Sequence, residues 1–465
     1  MMRSTIFLPA MAAACVVVFV LAGCNGEGFK TLQAPDLGDQ PPPGAGNGDG
    51  DGDGDDGFDD PGGDQPPSNN PFAGTWMTAY GDDRASGATE FGEQQYAVQL
   101  ELRQSGSDLS GDGRMFRVFR EGGQASDEVT FDVTGTASDG DAIIEFTSPQ
   151  NGDFQFTPQW YLRLAGNRLV GMHVETEAEE EVARSGHAVW YRASSGSVGG
   201  SYISAYTDQH AGGGADRRSR VGSVSISTSD SQPGGNGNFL ELVPGETPLD
   251  LEFDITRGGM QDDALGFTFG GGDLAPDEID WFAFHTGSVI AGAYGEFNDN
   301  DALIRAGNAR WYPASSPDPS NLNRTWVTSF GDEAAASGAR RADFIALVTL
   351  EVNDGGAVSG SARILNESAE TPQFATYDVT DGEIVGSRVF FELSSNNQRF
   401  LWDLRLGGSL MTGAYERMDA NGDYVSRGAA EWRPSTATPT MRGSWTVSYE
   451  DTRGEQSPET TQLAV

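Results

Sequence analysis

The chain has 465 residues, with 69 Asp and Glu against 29 Lys and Arg, for a formal net charge of −40. A chain this acidic has no basic surface with which to displace counterions from a polyanion, so nucleic acid is excluded as a partner. Its two cysteines, Cys15 and Cys24, both lie near the amino terminus. The rest of the chain therefore has no internal disulfide or thiolate metal site, and each folded unit must rest on its own core.

Residues 1–23 read as a targeting segment: Arg3 is followed by an apolar run from Ile6 to Leu21. That run is shorter than the roughly 20 residues a spanning helix needs, which predicts a cleaved signal. Leu21-Ala22-Gly23-Cys24 closely resembles the lipobox of bacterial lipoproteins. The resemblance implies that Cys24 is acylated through its sulfur, as palmitate or a similar chain, and becomes the first residue of a membrane-anchored protein. With Asn25 next, it also implies an outer-membrane or cell-surface location.

Residues 24–71 are Pro, Gly, Asp and Asn with almost nothing apolar, and predict a disordered tether. Within it, Asp49, Asp51, Asp53, Asp55 and Asp60, with Gly54, match the spacing of an EF-hand-type calcium loop. Calcium is the one cofactor this suggests. A solvated acidic linker is the competing reading, favoured by the lack of flanking helices, by Asp56 at a usually apolar position and by Asp60 in place of a bidentate Glu.

Beyond the tether the chain repeats itself. Trp160, Trp281 and Trp402 are spaced by 121 residues, and so are Trp190, Trp311 and Trp432. First strands recur at Trp76, Tyr202, Trp326 and Trp445, each followed four residues on by an aromatic. Fixed-period self-similarity sets units at 72–196, 197–317 and 318–438, with 439–465 the start of a fourth. Tyr96, Val98, Leu100 and Leu102 alternate with polar residues, as a half-buried strand does. Further strands are expected near Met115 to Arg120, Val129 to Thr136, Ile143 to Thr147, Gln159 to Leu164, Leu169 to Val174 and Ala188 to Arg192. About eight strands per unit and no helical periodicity predict an all-β fold, a tandem array of eight-stranded antiparallel up-and-down barrels. The rival is a propeller of two four-stranded blades per unit, disfavoured because the tryptophans recur at the full period.

Gly74-Thr75-Trp76, and hairpins such as Leu162-Arg163-Leu164-Ala165-Gly166-Asn167-Arg168-Leu169-Val170-Gly171, resemble the lipocalin and avidin superfamily of small-ligand barrels. The resemblance implies a last-strand Arg over the first-strand Trp. Arg192 fits in unit one, but Pro313 and Pro434 stand there in units two and three.

The inner face of the first strand carries the candidate ligand residues: Trp76, Thr78 and Tyr80; Tyr202, Ser204 and Tyr206; Trp326, Thr328 and Phe330. Two aromatics flanking a hydroxyl could stack a small apolar or glycan ligand, or could plug a solid barrel. Asp82, Asp208 and Asp332 follow each first strand, where Asp commonly starts a turn by bonding its own backbone and where a barrel mouth would admit a ligand. The four histidines do not recur. His173 aligns with Tyr294 and Tyr415, which suggests a need for an aromatic body and not an imidazole. With no recurring nucleophile, base or metal set, no enzyme is expected. The expected function is non-catalytic binding of a small apolar or glycan ligand by a monomeric, lipid-anchored array. The alternative is a structural or adhesive surface spacer with solid barrels.

Overall fold

The computed structural model describes residues 31–33, 444–449, 459–464 and most of 70–435, the larger gaps being 86–93, 119–126, 148–157, 177–181, 212–215 and 367–373. The signal segment, Cys24 and the aspartates from 49 to 60 lie outside the described residues.

Barrel one is built from strands Gly74–Gly81, Gln95–Ser105, Asp108–Val118, Asp127–Ser138, Asp141–Thr147, Gln159–Ala165, Arg168–Thr176 and Val182–Arg192. Each pairs antiparallel with the next, and the eighth returns to the first through Tyr191 opposite Met77 and Arg192 opposite Trp76. Barrel two runs from Gly200–Thr207 to Leu303–Pro313 and barrel three from Thr325–Gly331 to Tyr424–Pro434, in the same order and with the same closure. The third strand begins well before the expected Met115, because two glycines hide its alternation. A Cβ on Gly113 would come within 2.5 Å of the Phe131 ring, so the gap in the sequence pattern is the space that ring fills.

The two ends of each barrel differ. At one end successive strands turn tightly: Asp139 and Gly140 both have positive φ, 51° and 86°, as a two-residue type I′ hairpin requires. The first-strand aromatic closes this end. Trp76 donates its indole N–H to the Phe72 carbonyl at 2.8 Å, Trp326 to Leu322 at 3.2 Å, and the Tyr202 hydroxyl to Val198 at 2.9 Å. The expected stack is present in barrel one: Arg192 lies 4.3 Å over the Trp76 ring and donates to the Ala73 and Pro71 carbonyls. In barrel three, where Pro434 faces Trp326, Arg324 lies over the ring at 5.9 Å instead.

The other end carries the longer loops. There the first and eighth strands part after two or three residue pairs and rejoin only at a two-residue strand, Arg84–Ala85 in barrel one, His210–Ala211 in two and Ala334–Ala335 in three.

The barrels pack side by side, the early strands of one against the later strands of the next. Met77, Ala97 and Val118 on the first three strands of barrel one meet Ala264, Phe284, Ala293 and Ala306 on the later strands of barrel two, and Phe116 stacks on Phe284 at 5.3 Å. Ala205, Val221, Leu240 and Leu242 of barrel two meet Ala414 and Ala429 of barrel three in the same sense. All three barrels converge on a cluster including Tyr191, Ile203, Tyr312 and Leu410, where the Tyr191 and Tyr312 hydroxyls lie 3.3 Å apart. Of the fourth copy, Ser444–Tyr449 pairs with Glu459–Ala464 on one edge and with Thr31–Gln33 of the tether on the other.

Candidate functional site

The first-strand trio faces the barrel interior, and its members take three different roles. Trp76, Tyr202 and Trp326 form the plug. Thr78 and Thr328 sit where the first and eighth strands part, and their hydroxyls donate to the Val189 and Glu431 carbonyls at 2.9 and 2.8 Å, patching the interrupted ladder. Tyr80 stacks on Tyr96 at 4.7 Å and meets Trp160 and His173 at 5.0 Å each. Tyr206 and Phe330 occupy the same place, 5.6 and 5.1 Å from Trp281 and Trp402. Behind them the paired tryptophans cross nearly edge to face: Trp160 and Trp190 at 5.1 Å, Trp281 and Trp311 at 5.4 Å, Trp402 and Trp432 at 4.8 Å. All six are fully buried.

At the loop end, the three recurring aspartates become the centre of a buried polar cap. Asp82, Asp208 and Asp332 accept the backbone N–H of Gln94, Arg218 and Ala342 at 3.0, 2.8 and 2.9 Å, while their own N–H groups donate to the carbonyls of the same three residues. The expectation that these carboxylates would bond their own turn is thereby corrected. Each clamps the start of the second strand, 10 or 12 residues on, across the whole loop.

The second carboxylate oxygen faces the seventh strand. It lies 3.3 Å from His173 Nε2, and it accepts from the Tyr294 and Tyr415 hydroxyls at 2.6 and 2.9 Å. The aligned ring is therefore kept for its polar tip as well as its bulk, which corrects the reading that only an aromatic body is needed. The residue directly opposite each ring is a glycine, Gly186, Gly307 or Gly428. A Cβ on Gly186 or Gly307 would lie within 2.7 Å of His173 or Tyr294, and on Gly428 within 2.4 Å of the Gly331 carbonyl. These glycines open a Gly-x-Ala-x-Trp motif present in all three units, Gly186 to Trp190, Gly307 to Trp311 and Gly428 to Trp432. That motif was legible in the sequence and was missed there because the tryptophans drew the alignment.

The charge around each aspartate is balanced in a different way. In barrel one Arg184 lies 3.6 Å from both Asp82 and Glu175. In barrel two Arg305, at the same place, pairs with Asp208 at 3.5 Å and Glu296 at 2.5 Å. Barrel three reverses the pair: the seventh strand supplies Arg417, 2.5 Å from Asp332, and the eighth supplies Ser426, which donates to Asp332 at 2.5 Å. Barrel two adds the fully buried Arg220, between Glu241 at 2.8 Å, Glu296 at 2.6 Å and Asp208 at 3.5 Å. Burial pushes the Asp208 and Asp332 carboxyls up, against the pull of Arg220 and Arg417. For Glu296 burial also acts upward, but Arg220 and Arg305 outweigh it and hold the carboxyl below its usual range.

Glu175 is pushed up from 4.5 to about 7, first by burial and then by the nearby Asp82. Between those two pH values the folded chain binds more protons than the unfolded one, so stability falls as pH rises through this window and stays lower above it. The shift corresponds to an order of 3 kcal/mol. Glu175→Gln is expected to remove much of the difference in denaturation midpoint between pH 5 and pH 8; an unchanged difference would place the titration elsewhere.

Chemically, this end is a seal. Among the described residues no group of three or more His, Cys, Asp or Glu is placed to hold a metal ion, and the aspartate that faces an imidazole on the seventh strand is Asp82 of barrel one.

No protein-family model matches the chain, and no curated protein does. Among solved structures, a protein of unknown function from the DUF3598 family of Nostoc punctiforme is 12% identical, covering 51% of this chain and 96% of that one at a TM-score of 0.19. A transferrin binding protein B mutant from Haemophilus parasuis is 8% identical over 78% of this chain and 76% of its own, with a TM-score of 0.22. An isotype 1 transferrin binding protein B from Neisseria meningitidis is 11% identical over 74% and 65%, with a TM-score of 0.18. At TM-scores this low, the functional reading rests on this chain's own residues.

Proposed function

We propose that the chain is an exported, lipid-anchored surface protein whose solid barrels act as a structural or adhesive spacer, making contacts through outer faces and loops without catalysis. The observation that carries this reading is the filled interior. In each barrel interlocking aromatic rings occupy the space between the plug and the polar cap, and the central tryptophans are fully buried. The second reading, capture of a small apolar or glycan ligand inside the barrels, draws on one observation, the inward hydroxyl set between two aromatic rings on every first strand. Native mass spectrometry and tryptophan quenching against a metabolite panel separate the two: no bound mass and no quenching are expected, and a saturable binder would favour capture. Deletion that leaves surface attachment and envelope integrity unchanged would defeat the spacer.

The anchor in this reading is Cys24. Cys24→Ser is expected to abolish incorporation of labelled palmitate and to release the protein from the membrane fraction. Continued labelling would show the acyl chain to be elsewhere.

A further inference from the structure

The two joints between barrels use equivalent positions, but different chemistry stands at them. At the first, Asn308 of barrel two donates to Gln95 of barrel one at 2.7 Å and to Gln209 at 2.8 Å. Nearby, Gly295 and Ala306 stand opposite each other on the seventh and eighth strands of barrel two. Gln95, Gln209, Asn308, Gly295 and Ala306 carry no side-chain charge at any ordinary pH.

In barrel three the positions of Gln209, Gly295 and Ala306 are held by Glu333, Glu416 and Arg427. Glu333 follows Asp332 as Gln209 follows Asp208, and its N–H donates to the Arg427 carbonyl at 3.0 Å as that of Gln209 does to Ala306. Glu416 stands opposite Arg427 in the sheet. Glu333, Glu416 and Arg427 are 3%, 6% and 0% exposed, so none keeps a shell of water.

Their bonding is incomplete. Glu333 accepts the Ala429 N–H at 3.2 Å through one oxygen, and its other oxygen has no partner among the described residues. The hydroxyl of Thr207, which faces it from barrel two, is bonded to Ser219 at 2.7 Å. One Glu416 oxygen and Arg427 Nε are also without a partner, while Arg427 Nη1 reaches across the joint to the Leu242 carbonyl at 3.1 Å. A buried carboxylate this short of donors is costly, and taking up a proton relieves it. Burial pushes the Glu333 carboxyl well up, opposed by Thr207, the Ala429 N–H, Arg217 of barrel two and Arg341 of barrel three. Burial likewise pushes Glu416 up from 4.5 to about 7, opposed by Arg427. The other groups facing Arg427 are Tyr424 of barrel three and Asp208 and Asp216 of barrel two. Asp332 and Arg417, which face Tyr424, are paired with each other.

We propose that the joint between barrels two and three is a proton-dependent hinge, closed while Glu333 and Glu416 hold protons and opened by their ionisation, whereas the first joint stays closed. The closed joint keeps protons that an open, hydrated joint gives up above pH 4.5, so opening is favoured as pH rises. From Glu416 alone, the open-to-closed ratio should gain on the order of 100-fold between pH 5 and pH 9. The hinge does not depend on what fills the barrels, so its failure would leave the spacer reading untouched.

Asp132, Asp254 and Asp378 are equivalent exposed positions on the three fourth strands, which enter neither joint. Spin labels on Asp254→Cys and Asp378→Cys span the second joint, and on Asp132→Cys and Asp254→Cys the first, in the full chain carrying Cys15→Ser and Cys24→Ser. Double electron–electron resonance is expected to show a longer distance population growing across the second joint from pH 5 to pH 9, and one unchanged population across the first. Glu333→Gln with Glu416→Gln, amides of the kind Gln209 already supplies at the first joint, should keep the second joint closed throughout. Distances across the second joint that stay the same at both pH values, or that change equally at both joints, would overturn the proposal without recourse to any carboxyl variant. So would a change that persists in the double variant.

Discussion

Replacing Arg220 by Met is expected to destabilise barrel two by roughly 3–5 kcal/mol near neutral pH, the usual cost of stripping one partner from a buried ionic network. Arg220 is fully buried and touches Glu241, Glu296 and Asp208. Arg218 and Arg305 also reach Glu241 and Glu296, but from the edge of the cluster. Without Arg220 three carboxylates share two cations in a site without solvent, and protonation becomes the cheapest relief. The variant should therefore regain stability as pH falls, opposite to an ordinary acid-sensitive fold. Adding Glu241→Gln should restore part of the loss at pH 7. The comparison is Arg103→Met, which breaks a pair with Asp112 that is more than half exposed on both sides; such a pair is worth at most about 1 kcal/mol. Urea denaturation of the full chain at pH 5 and pH 7 checks both. Equal losses at the two sites would mean that the cap carries no special weight.

Trp402→Ala should cost a comparable amount, about 3–5 kcal/mol, through the cavity it leaves. Its ring meets Phe330, Tyr415 and Trp432 at 5.1, 4.8 and 4.8 Å, so three neighbours lose contacts that the closed sheet gives them little freedom to replace. Trp402→Phe should recover most of that loss. A thermal scan in which the alanine variant matched the parent would mean that the barrel relaxes around the gap, and a hollow interior would then be the better description.

The strand count, the closure and the direction of each inner face were legible because period-two alternation and the 121-residue repeat both survive in the sequence. The plug was legible from Gly-Thr-Trp. Arg324 was not, because it approaches Trp326 from before the first strand, where a search along the last strand does not look. The recurring aspartates were found, yet their partners were not. Glu175 and Arg184 in barrel one answer to Arg417 and Ser426 in barrel three, and a position-by-position comparison reads that exchange as divergence. Only the geometry shows that each keeps a cation or a hydroxyl on the same carboxylate.

The packing between barrels has a consequence for how such a protein can change. The two joints key in the same sense but through different chemistry: Phe116 lies on Phe284 at the first, while Arg405 reaches Asn238 at 3.3 Å at the second. Each joint therefore matches one particular set of side chains on its two neighbours. Exchanging neighbours would part Phe116 from Phe284 and Arg405 from Asn238, so the order of the barrels is written into both joints.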